Sequence, residues 1–245
     1  MLALHADLHT HTVSSGHAYA TAREMIAAAA ESGLEMIALT DHGPAAPGSC
    51  GPLHFANLRA IPRRVDGVTV LRGVELNAID AKGTLDLPER ILGRLDWIIV
   101  SLHNITIPSM EGRDCTELYL ALAEHPMIDM IGHPDSSNYP FDMERVVPVW
   151  AERGKVVEIN EHHAFDFGPE NQENARRLAE LCARHGAWVA VNSDAHTCWD
   201  VGRSARGLAL LEEAGFPEDR ILNASAGRVL DFLRARRPGT DLGAP

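Results

Sequence analysis

Short apolar runs alternate with longer amphipathic segments along almost the whole chain. Runs that are apolar at nearly every position are typical of parallel strands that are covered on both faces. Seven runs have this character, and we interpret them as strands: Leu4–Leu8, Met36–Thr40, Val68–Leu76, Trp97–Leu102, Ile128–Gly132, Val156–Asn160 and Trp188–Asn192. The pattern therefore predicts an α/β fold built on a parallel sheet.

The segments between these strands repeat their apolar residues with the helical period of about 3.6. Thr21 and Glu24 have the spacing of a capping box, so we expect a helix to begin there and to end at Gly33. Further helices are predicted over Phe55–Val65, Cys115–Glu124, Met143–Arg153, Asn171–His185, Ala205–Ala214 and Ala226–Arg237. Seven strands favour a closed or nearly closed barrel over an open doubly wound sheet. The G-x-G-x-x-G turn that is typical of dinucleotide-binding doubly wound sheets is also absent after the first strand.

Length, hydrophobic content and net charge indicate one barrel domain and argue against some classes of partner. The chain has 245 residues, of which 45% are hydrophobic, and this is enough for the core of one barrel domain. No linker-like stretch interrupts the chain, so we expect a single domain over residues 1–237 and a flexible tail over 238–245. The formal net charge of −12 makes nucleic acids and anionic membranes unfavourable partners.

The sequence also predicts a cytoplasmic location. The N-terminus has neither the basic segment nor the long apolar segment of a signal peptide, and no apolar run approaches the roughly 18 residues that span a bilayer. The four cysteines form no C-x-x-C pair: they are Cys50, Cys115, Cys182 and Cys198. We expect them to be free thiols in a reducing compartment.

Histidines and carboxylates collect directly after the predicted strands. His9 and His11 follow the first strand, and Asp194 and His196 follow the last strand with the same spacing. In an extended segment, residues two apart point the same way at a separation of about 6.8 Å. The carboxyl ends of barrel strands open onto one face, so nine side chains are expected to meet there: His9, His11, His17, His42, Glu75, His103, His133, Asp194 and His196.

Imidazole and carboxylate side chains in this arrangement indicate a metal centre. Nine ligands are too many for one ion and ample for two. With one bridging carboxylate they suit three ions, each with a coordination position left for water or substrate. Such a centre would carry positive charge and would attract phosphate groups even in an acidic protein.

The motifs that carry these residues resemble those of the PHP superfamily, named for polymerase and histidinol phosphatase. They are Asp7-Leu8-His9-Thr10-His11-Thr12 with Ser15-Gly16-His17, Thr40-Asp41-His42-Gly43, Gly73-Val74-Glu75 and Ser193-Asp194-Ala195-His196. Other segments are similar to the YcdX-type branch of stand-alone phosphatases: His54-Phe55-Ala56-Asn57, Gly132-His133-Pro134, Glu158-Ile159-Asn160 and Asn223-Ala224-Ser225. The resemblance covers essentially the whole chain.

This resemblance implies a distorted (β/α)7 barrel with a trinuclear metal centre. One ion would be held by His9, His11, Glu75 and Asp194, a second by His17, His42 and His196, and a third by Glu75, His103 and His133, with Glu75 as the bridge. Three divalent ions per chain are expected, with zinc first and manganese or iron as alternatives.

The predicted function is that of a metal-dependent phosphatase, a phosphoric ester hydrolase that uses a metal-activated water on a small phosphorylated substrate. Asp41, Glu75 and Asp194 are assigned catalytic roles, with Asp41 expected to orient His42. Candidate substrate contacts are His54, Arg59, Arg63, Arg72 and His162. The sixth predicted strand, Val156–Asn160, supplies no ligand. The loop after it, Glu161-His162-His163, is therefore where we expect the substrate to be recognised, although His163 itself is not predicted as a ligand or substrate contact.

Three alternatives remain open at this stage. The chain could be specific for histidinol phosphate, or it could be an exonuclease of the PHP type, against which the net charge argues. The third alternative is a non-catalytic domain that binds or buffers metal. A homo-oligomer, for which a trimer is the guess, is a further expectation.

Overall fold

The structure is a computed structural model that describes residues 2–238. The predicted tail, 238–245, therefore lies almost wholly outside the described residues. The strands are β1 (Ala6–Asp7), β2 (Met36–Leu39), β3 (Arg64–Val65), β4 (Val68–Asn77), β5 (Trp97–Ser101), β6 (Met130–Ile131), β7 (Val156–Asn160) and β8 (Trp188–Asn192). The helices are α1 (Ala22–Glu31), α2 (Pro52–Asn57), α3 (Glu89–Leu92), α4 (Thr116–Glu124), α5 (Met143–Glu152), α6 (His163–Asp166), α7 (Pro169–His185), α8 (Ala205–Glu213) and α9 (Ala226–Arg236).

Seven parallel strands form one sheet in the order β1-β2-β4-β5-β6-β7-β8. Each strand pairs with the next in parallel register, and the sheet curls into a nearly closed barrel. The predicted α/β fold with a distorted (β/α)7 barrel is confirmed. None of the helices within residues 2–238 combines the length and the apolar character needed to cross a membrane.

The prediction of a helix over Phe55–Val65 is wrong. Helix α2 ends at Asn57, and after a short 3-10 turn the chain forms strand β3, which pairs antiparallel with β4. Pro62 lacks the N–H group that a continuing helix needs. Asp66 and Gly67 then have φ angles of 50° and 86°, as a tight hairpin turn between two strands requires.

The barrel interior is apolar in its amino-terminal half. Met36, Leu71 and Met130 pack there against Val229 and Leu233 of helix α9, which closes that end. Side chains two residues apart along a strand share a face. Glu75 and Asn77 of β4 therefore lie on the same interior face as Leu71, nearer the carboxyl end. The barrel is thus filled with hydrocarbon at one end and with polar side chains at the other.

The seam between the first and last strands is closed by a side chain. No ladder joins β1 to β8 within the described residues; instead a single parallel bridge links Thr10 to Ala195. Next to it, the fully buried amide of Asn223 donates to the carbonyl oxygens of Ala6 (2.9 Å) and Val191 (2.6 Å). Its oxygen accepts from Val191 N at 3.1 Å. One asparagine therefore replaces part of a missing strand pairing.

Candidate metal centre

All nine predicted ligands meet at the carboxyl end of the barrel. The loops after β1, β2, β5, β6 and β8 supply the histidines and Asp194, and β4 itself supplies Glu75. His9, His11, His42, Glu75 and His133 are buried, whereas the others border on solvent. The structure therefore places the strand-end residues where the barrel geometry predicts them.

Glu75 lies at the middle of the cluster. Five imidazole nitrogens surround its carboxylate oxygens within 3.5 Å: His42 Nδ1 at 2.6 Å, His133 Nε2 at 3.0 Å, His103 Nε2 at 3.3 Å, His9 Nε2 at 3.4 Å and His11 Nε2 at 3.5 Å. The two carboxylate oxygens face different histidines, so this side chain has the geometry of a bridge between adjacent cations.

Asp194 occupies the side of the cluster next to the seam. Its Oδ1 lies 3.1 Å from His11 Nε2 and 3.6 Å from His9 Nε2. Asp194 and His133 adopt positive φ angles of 54° and 29°, and they are two of the three non-glycine residues in 2–238 that do so. Such backbone conformations are unfavourable and tend to be retained at functional sites.

The outer part of the cluster consists of stacked imidazoles. His17 Nε2 lies 3.0 Å from His196 Nε2, and the ring of His42 lies 5.0 Å from that of His17. Within residues 2–238, three sets of ligand atoms lie within 4.8 Å of one another: His11, His42 and His196; His9, His11 and Glu75; and His42, Glu75 and His103. In the first set His11 stands where the resemblance implied His17.

Several of these atoms are buried without a hydrogen-bond partner. They include His9 Nε2, His11 Nε2, His42 Nδ1 and Glu75 Oε2. An unpaired buried polar atom is unfavourable by about 1–3 kcal/mol, so a group of them facing one another calls for a missing partner. Imidazole nitrogens and a carboxylate oxygen are ligands of divalent transition metals, and the donor set therefore fits such ions.

The cluster strongly shifts its own ionisation equilibria. Burial alone would raise the pKa of Glu75, but the imidazoles of His42, His9 and His103 hold it well below its usual value. Burial lowers the pKa of His9, yet the carboxylates of Glu158, Asp194 and Glu75 raise it well above its usual value. Burial and the neighbouring His42 instead lower the pKa of His11 to about 3. A cation that binds here would displace the proton of His9, because ligation requires a neutral imidazole.

Three polar side chains orient the ligating histidines from behind. His9 Nδ1 contacts Glu158 Oε1 at 2.8 Å, His103 Nδ1 contacts Asn77 Oδ1 at 2.9 Å, and His11 Nδ1 contacts Ser15 Oγ at 3.1 Å. Each contact leaves Nε2 directed toward Glu75. These three partners were not predicted as site residues, although Glu158 and Asn77 stand out in the sequence as polar residues inside predominantly apolar strands.

Asp41 is linked to two predicted ligands through Ser15, whose hydroxyl contacts His11 Nδ1 and accepts from His42 N at 3.2 Å. Its Oδ1 accepts hydrogen bonds from Thr12 N (2.7 Å) and Ser15 Oγ (2.7 Å), and Ser15 in turn contacts His11. On the other side, His54 Nε2 lies 3.3 Å from Asp41 Oδ2. Burial would raise the pKa of Asp41, but His54 and Ser15 lower it to about 2. Asp41 therefore supports His11 through Ser15 and holds His54 beside the cluster.

The structure does not bring the predicted arginines to the cluster. Arg63 is paired with Asp96 at 2.6 Å, and the guanidinium of Arg72 donates to Ile61 O at 2.6 Å. Asp96 precedes β5, so both arginines are engaged near the amino end of that strand, away from the ligands. Arg59 is exposed, and its side chain makes neither an ion pair nor a hydrogen bond with residues 2–238.

The loop after β7 does border the cluster. His162 lines a small cavity of about 180 Å³ together with the ligands Asp194 and His196; Asp166, Ser193, Asp200 and Arg203 complete its wall. On the other side of the loop, the ring of His163 stacks on His133 with centroids 4.7 Å apart. His163 Nδ1 contacts the buried Asp135 at 3.0 Å. His163, which was not predicted as a ligand, therefore packs directly on the predicted ligand His133.

Sequence comparison agrees with this geometry. The family model described as "PHP domain" matches residues 7–162, which contain seven of the nine clustered residues. The chain belongs to the PHP domain family. Its PHP relatives include a "probable phosphatase" of Caldicellulosiruptor saccharolyticus, 43% identical over 94% of this chain and 96% of the relative. A "probable phosphatase" of a Thermoanaerobacter species is 40% identical over 94% of this chain and 95% of that protein.

A solved structure has the same PHP fold. It is the histidinol phosphate phosphatase of Lactococcus lactis, crystallised with zinc, L-histidinol and phosphate, and it matches with a TM-score of 0.61 at 20% identity over 86% of this chain and 94% of that chain. At this identity the match supports the fold alone. The prediction that the chain is a PHP-domain hydrolase is confirmed by the family and its close relatives.

Proposed function

We propose that this protein is a metal-dependent phosphoric ester hydrolase with a trinuclear centre. The observation that carries the proposal is the ring of five imidazoles around Glu75, with buried nitrogen and oxygen atoms that lack partners. The close relatives named as probable phosphatases support the reaction class. When bound, divalent ions would supply the Lewis acidity that activates water and stabilises charge on phosphoryl oxygens.

We assign the nine residues to three ions as the family resemblance implies. His9, His11, Glu75 and Asp194 would hold the first, His17, His42 and His196 the second, and Glu75, His103 and His133 the third. Zinc is the first candidate, because histidine-rich sites suit it and because the Lactococcus lactis enzyme was crystallised with zinc. Manganese and iron accept the same donors.

The other side chains prepare the site for substrate. Glu158, Asn77 and Ser15 fix the imidazole rings, and Asp41 fixes Ser15. Of the ligands, His17 is exposed, and His196 and His103 keep 24% and 18% of their side-chain surface exposed. A small phosphate ester would therefore approach from their side of the cluster. Glu75 and Asp194 would act as the catalytic carboxylates, because they would ligate the ions and balance part of their charge.

The test is elemental analysis of the purified protein combined with a phosphatase assay before and after chelation. We expect activity to disappear on chelation and to return with zinc or manganese. His103→Ala or His133→Ala should each remove about one ion per chain, whereas His185→Ala, on the exposed end of α7, should remove none. Activity that survives complete metal removal contradicts the proposal.

A substrate panel separates the alternatives. Histidinol phosphate, sugar phosphates, nucleoside monophosphates and single-stranded DNA should be assayed side by side with the metal-loaded protein. We expect hydrolysis of small monoesters. Turnover of DNA alone would support an exonuclease, and inactivity on every ester and on DNA would support a metal-binding domain.

Activity should fall at low pH, because the ligating histidines must lose their protons to bind metal.

A further inference from the structure

Arg203 is the one arginine in the wall of the 180 Å³ cavity beside Asp194 and His196. Its guanidinium lies 3.8 Å from Asp166 and 3.7 Å from Asp200, and both carboxylates belong to the same wall. These separations are too long for hydrogen bonds. Within residues 2–238 the guanidinium donates no hydrogen bond, and 45% of the side chain is exposed. Its five N–H donors thus remain available to a ligand.

The neighbouring arginine shows what a structural role looks like here. Arg206 donates to Glu161 Oε1 at 2.9 Å, to Asp166 Oδ1 at 2.8 Å and to Glu161 O at 3.0 Å. It also lies over the ring of Phe165, with 4.9 Å between the guanidinium carbon and the ring centroid. Arg206 therefore links the loop after β7 to helix α8 through hydrogen bonds. Arg203, in contrast, makes only two long ion pairs.

The carboxylates beside Arg203 are already engaged. Asp166 accepts from Arg206 and also contacts His162 Nδ1 at 3.0 Å, while Asp200 accepts from Thr197 Oγ1 at 2.9 Å. Neither needs Arg203 as its hydrogen-bond donor. Two long ion pairs hold the guanidinium near the cavity, where an anion with shorter contacts can compete for it.

The backbone beneath Arg203 is fixed relative to the metal ligands. Gly202 N donates to Asp7 Oδ2 at 2.9 Å, and the same buried carboxylate accepts from Ser193, the residue before Asp194. Arg203 N donates to Asp200 O at 3.0 Å. The backbone of Arg203 is therefore held rigidly, whereas its guanidinium makes no hydrogen bond. A residue that binds substrate requires this combination.

We propose that Arg203 is an anion-binding residue of the substrate site, which donates hydrogen bonds to phosphate or carboxylate oxygens in the cavity beside Asp194, His196 and His162. This inference rests on the proposed function. The anion has two sources of the same chemistry: the phosphoryl group that is transferred, or a second acidic group on the leaving alcohol. A guanidinium suits either, since its planar fork matches both groups.

The test compares Arg203→Gln with Arg203→Lys, and uses Arg177→Gln, on the exposed face of α7, as the matched control. Binding of inorganic phosphate to the metal-loaded protein is measured by calorimetry. The value of kcat/KM is measured for glycerol 3-phosphate and for 3-phosphoglycerate, which adds a carboxylate. Metal content and melting temperature are measured on every variant, so that a loss of the centre is recognised.

If Arg203 binds the transferred phosphoryl group, Arg203→Gln should weaken phosphate binding and lower kcat/KM for both esters by about 10- to 100-fold, as the loss of a charge-assisted hydrogen bond predicts. If it binds a second acidic group, only 3-phosphoglycerate should lose this factor. Arg203→Lys should lose less in either case, because it keeps the charge.

The inference is overturned if the wild type is active and both Arg203 variants stay within twofold of it, with metal content unchanged, in phosphate binding and on both esters. A wild type that neither binds phosphate nor hydrolyses any ester overturns the proposed function, and the anion site with it. The two failures are therefore distinguishable. If Arg203→Gln loses metal, the inference is judged instead from phosphate binding and kcat/KM of Arg203→Lys compared with the wild type.

Discussion

His9 and Glu158 form a fully buried pair in which His9 Nδ1 lies 2.8 Å from Glu158 Oε1. This contact fixes the ring so that Nε2 faces Glu75, and partners of this kind typically contribute 10- to 100-fold to metal affinity. Glu158→Gln should therefore weaken metal binding by roughly that factor. Competition with a chromogenic chelator measures the affinity. Glu180→Gln, on the exposed face of α7, is the control, and equal affinities for both variants would contradict the role of Glu158.

The loop that carries His17 depends on a close approach of two glycines. Gly16 has a φ angle of 81°, and a Cβ added there would overlap the backbone of Gly48. Gly33 has a similar φ of 76° but open space around its Cβ position. Gly33→Ala should lower the free energy of unfolding by about 1 kcal/mol, from the backbone conformation alone. Gly16→Ala should lower it by about 3 kcal/mol, since steric overlap is added.

Urea denaturation measures both values, and elemental analysis should show less metal only in Gly16→Ala, because His17 moves with its loop. Equal stability of the two variants would show that the loop after Gly16 moves aside without loss.

Asn223, at the barrel seam, should contribute strongly to the free energy of unfolding although it is not a ligand. Asn223→Ala would leave Val191 N and the carbonyl oxygens of Ala6 and Val191 buried without partners. The free energy of unfolding should fall by about 2–4 kcal/mol. Asn138→Ala, an exposed substitution, should change it by less than about 0.5 kcal/mol. Urea denaturation of the metal-free protein tests this, and a small change for Asn223→Ala would mean that the seam is closed without it.

His54 should titrate far from its ordinary range in the metal-free protein. Burial lowers its pKa, but the neighbouring Asp41 and Cys50 side chains raise it to about 9. A raised pKa stabilises the folded state fully below the unfolded value of about 6.5, and this contribution, at most roughly 3 kcal/mol, is lost as the pH rises through 9. In Asp41→Asn burial should dominate, and the pKa of His54 should fall to 6.5 or below.

Proton NMR titration of the His54 ring measures both values. A pKa near 6.5 in the wild type would show that the 3.3 Å contact with Asp41 does not persist in solution.

The positions of the ligands could be predicted from the sequence because they depend only on strand order. Glu75 lies near the end of a buried strand, and the other ligands lie in loops after buried strands. Parallel barrel strands end on one face, so no knowledge of side-chain contacts was needed. Arg72 could have been rejected on the same ground. It lies three residues before Glu75 in one strand, and an odd separation places two side chains on opposite faces.

The supporting residues required the three-dimensional structure. Glu158 is 149 residues from His9, and nothing local to either residue indicates the other. The same holds for Arg203, which lines the cavity next to a turn that Asp7 fixes at Gly202. Strand β3 was missed for a different reason. The Asp66-Gly67 pair is a recognisable hairpin signal, but the apolar residues before it also fit a helical period.

Asn223 helps to close the seam, and its late position in the chain has a consequence for biosynthesis. Asn223 lies 217 residues from its partner Ala6, so a chain that is still emerging from the ribosome carries most of the histidines before the barrel can close. A nascent chain that ends before residue 188 lacks β8, Asp194, His196 and the seam residue together. We expect metal capture to follow the release of the whole chain, and a truncation after residue 187 to retain none on elemental analysis.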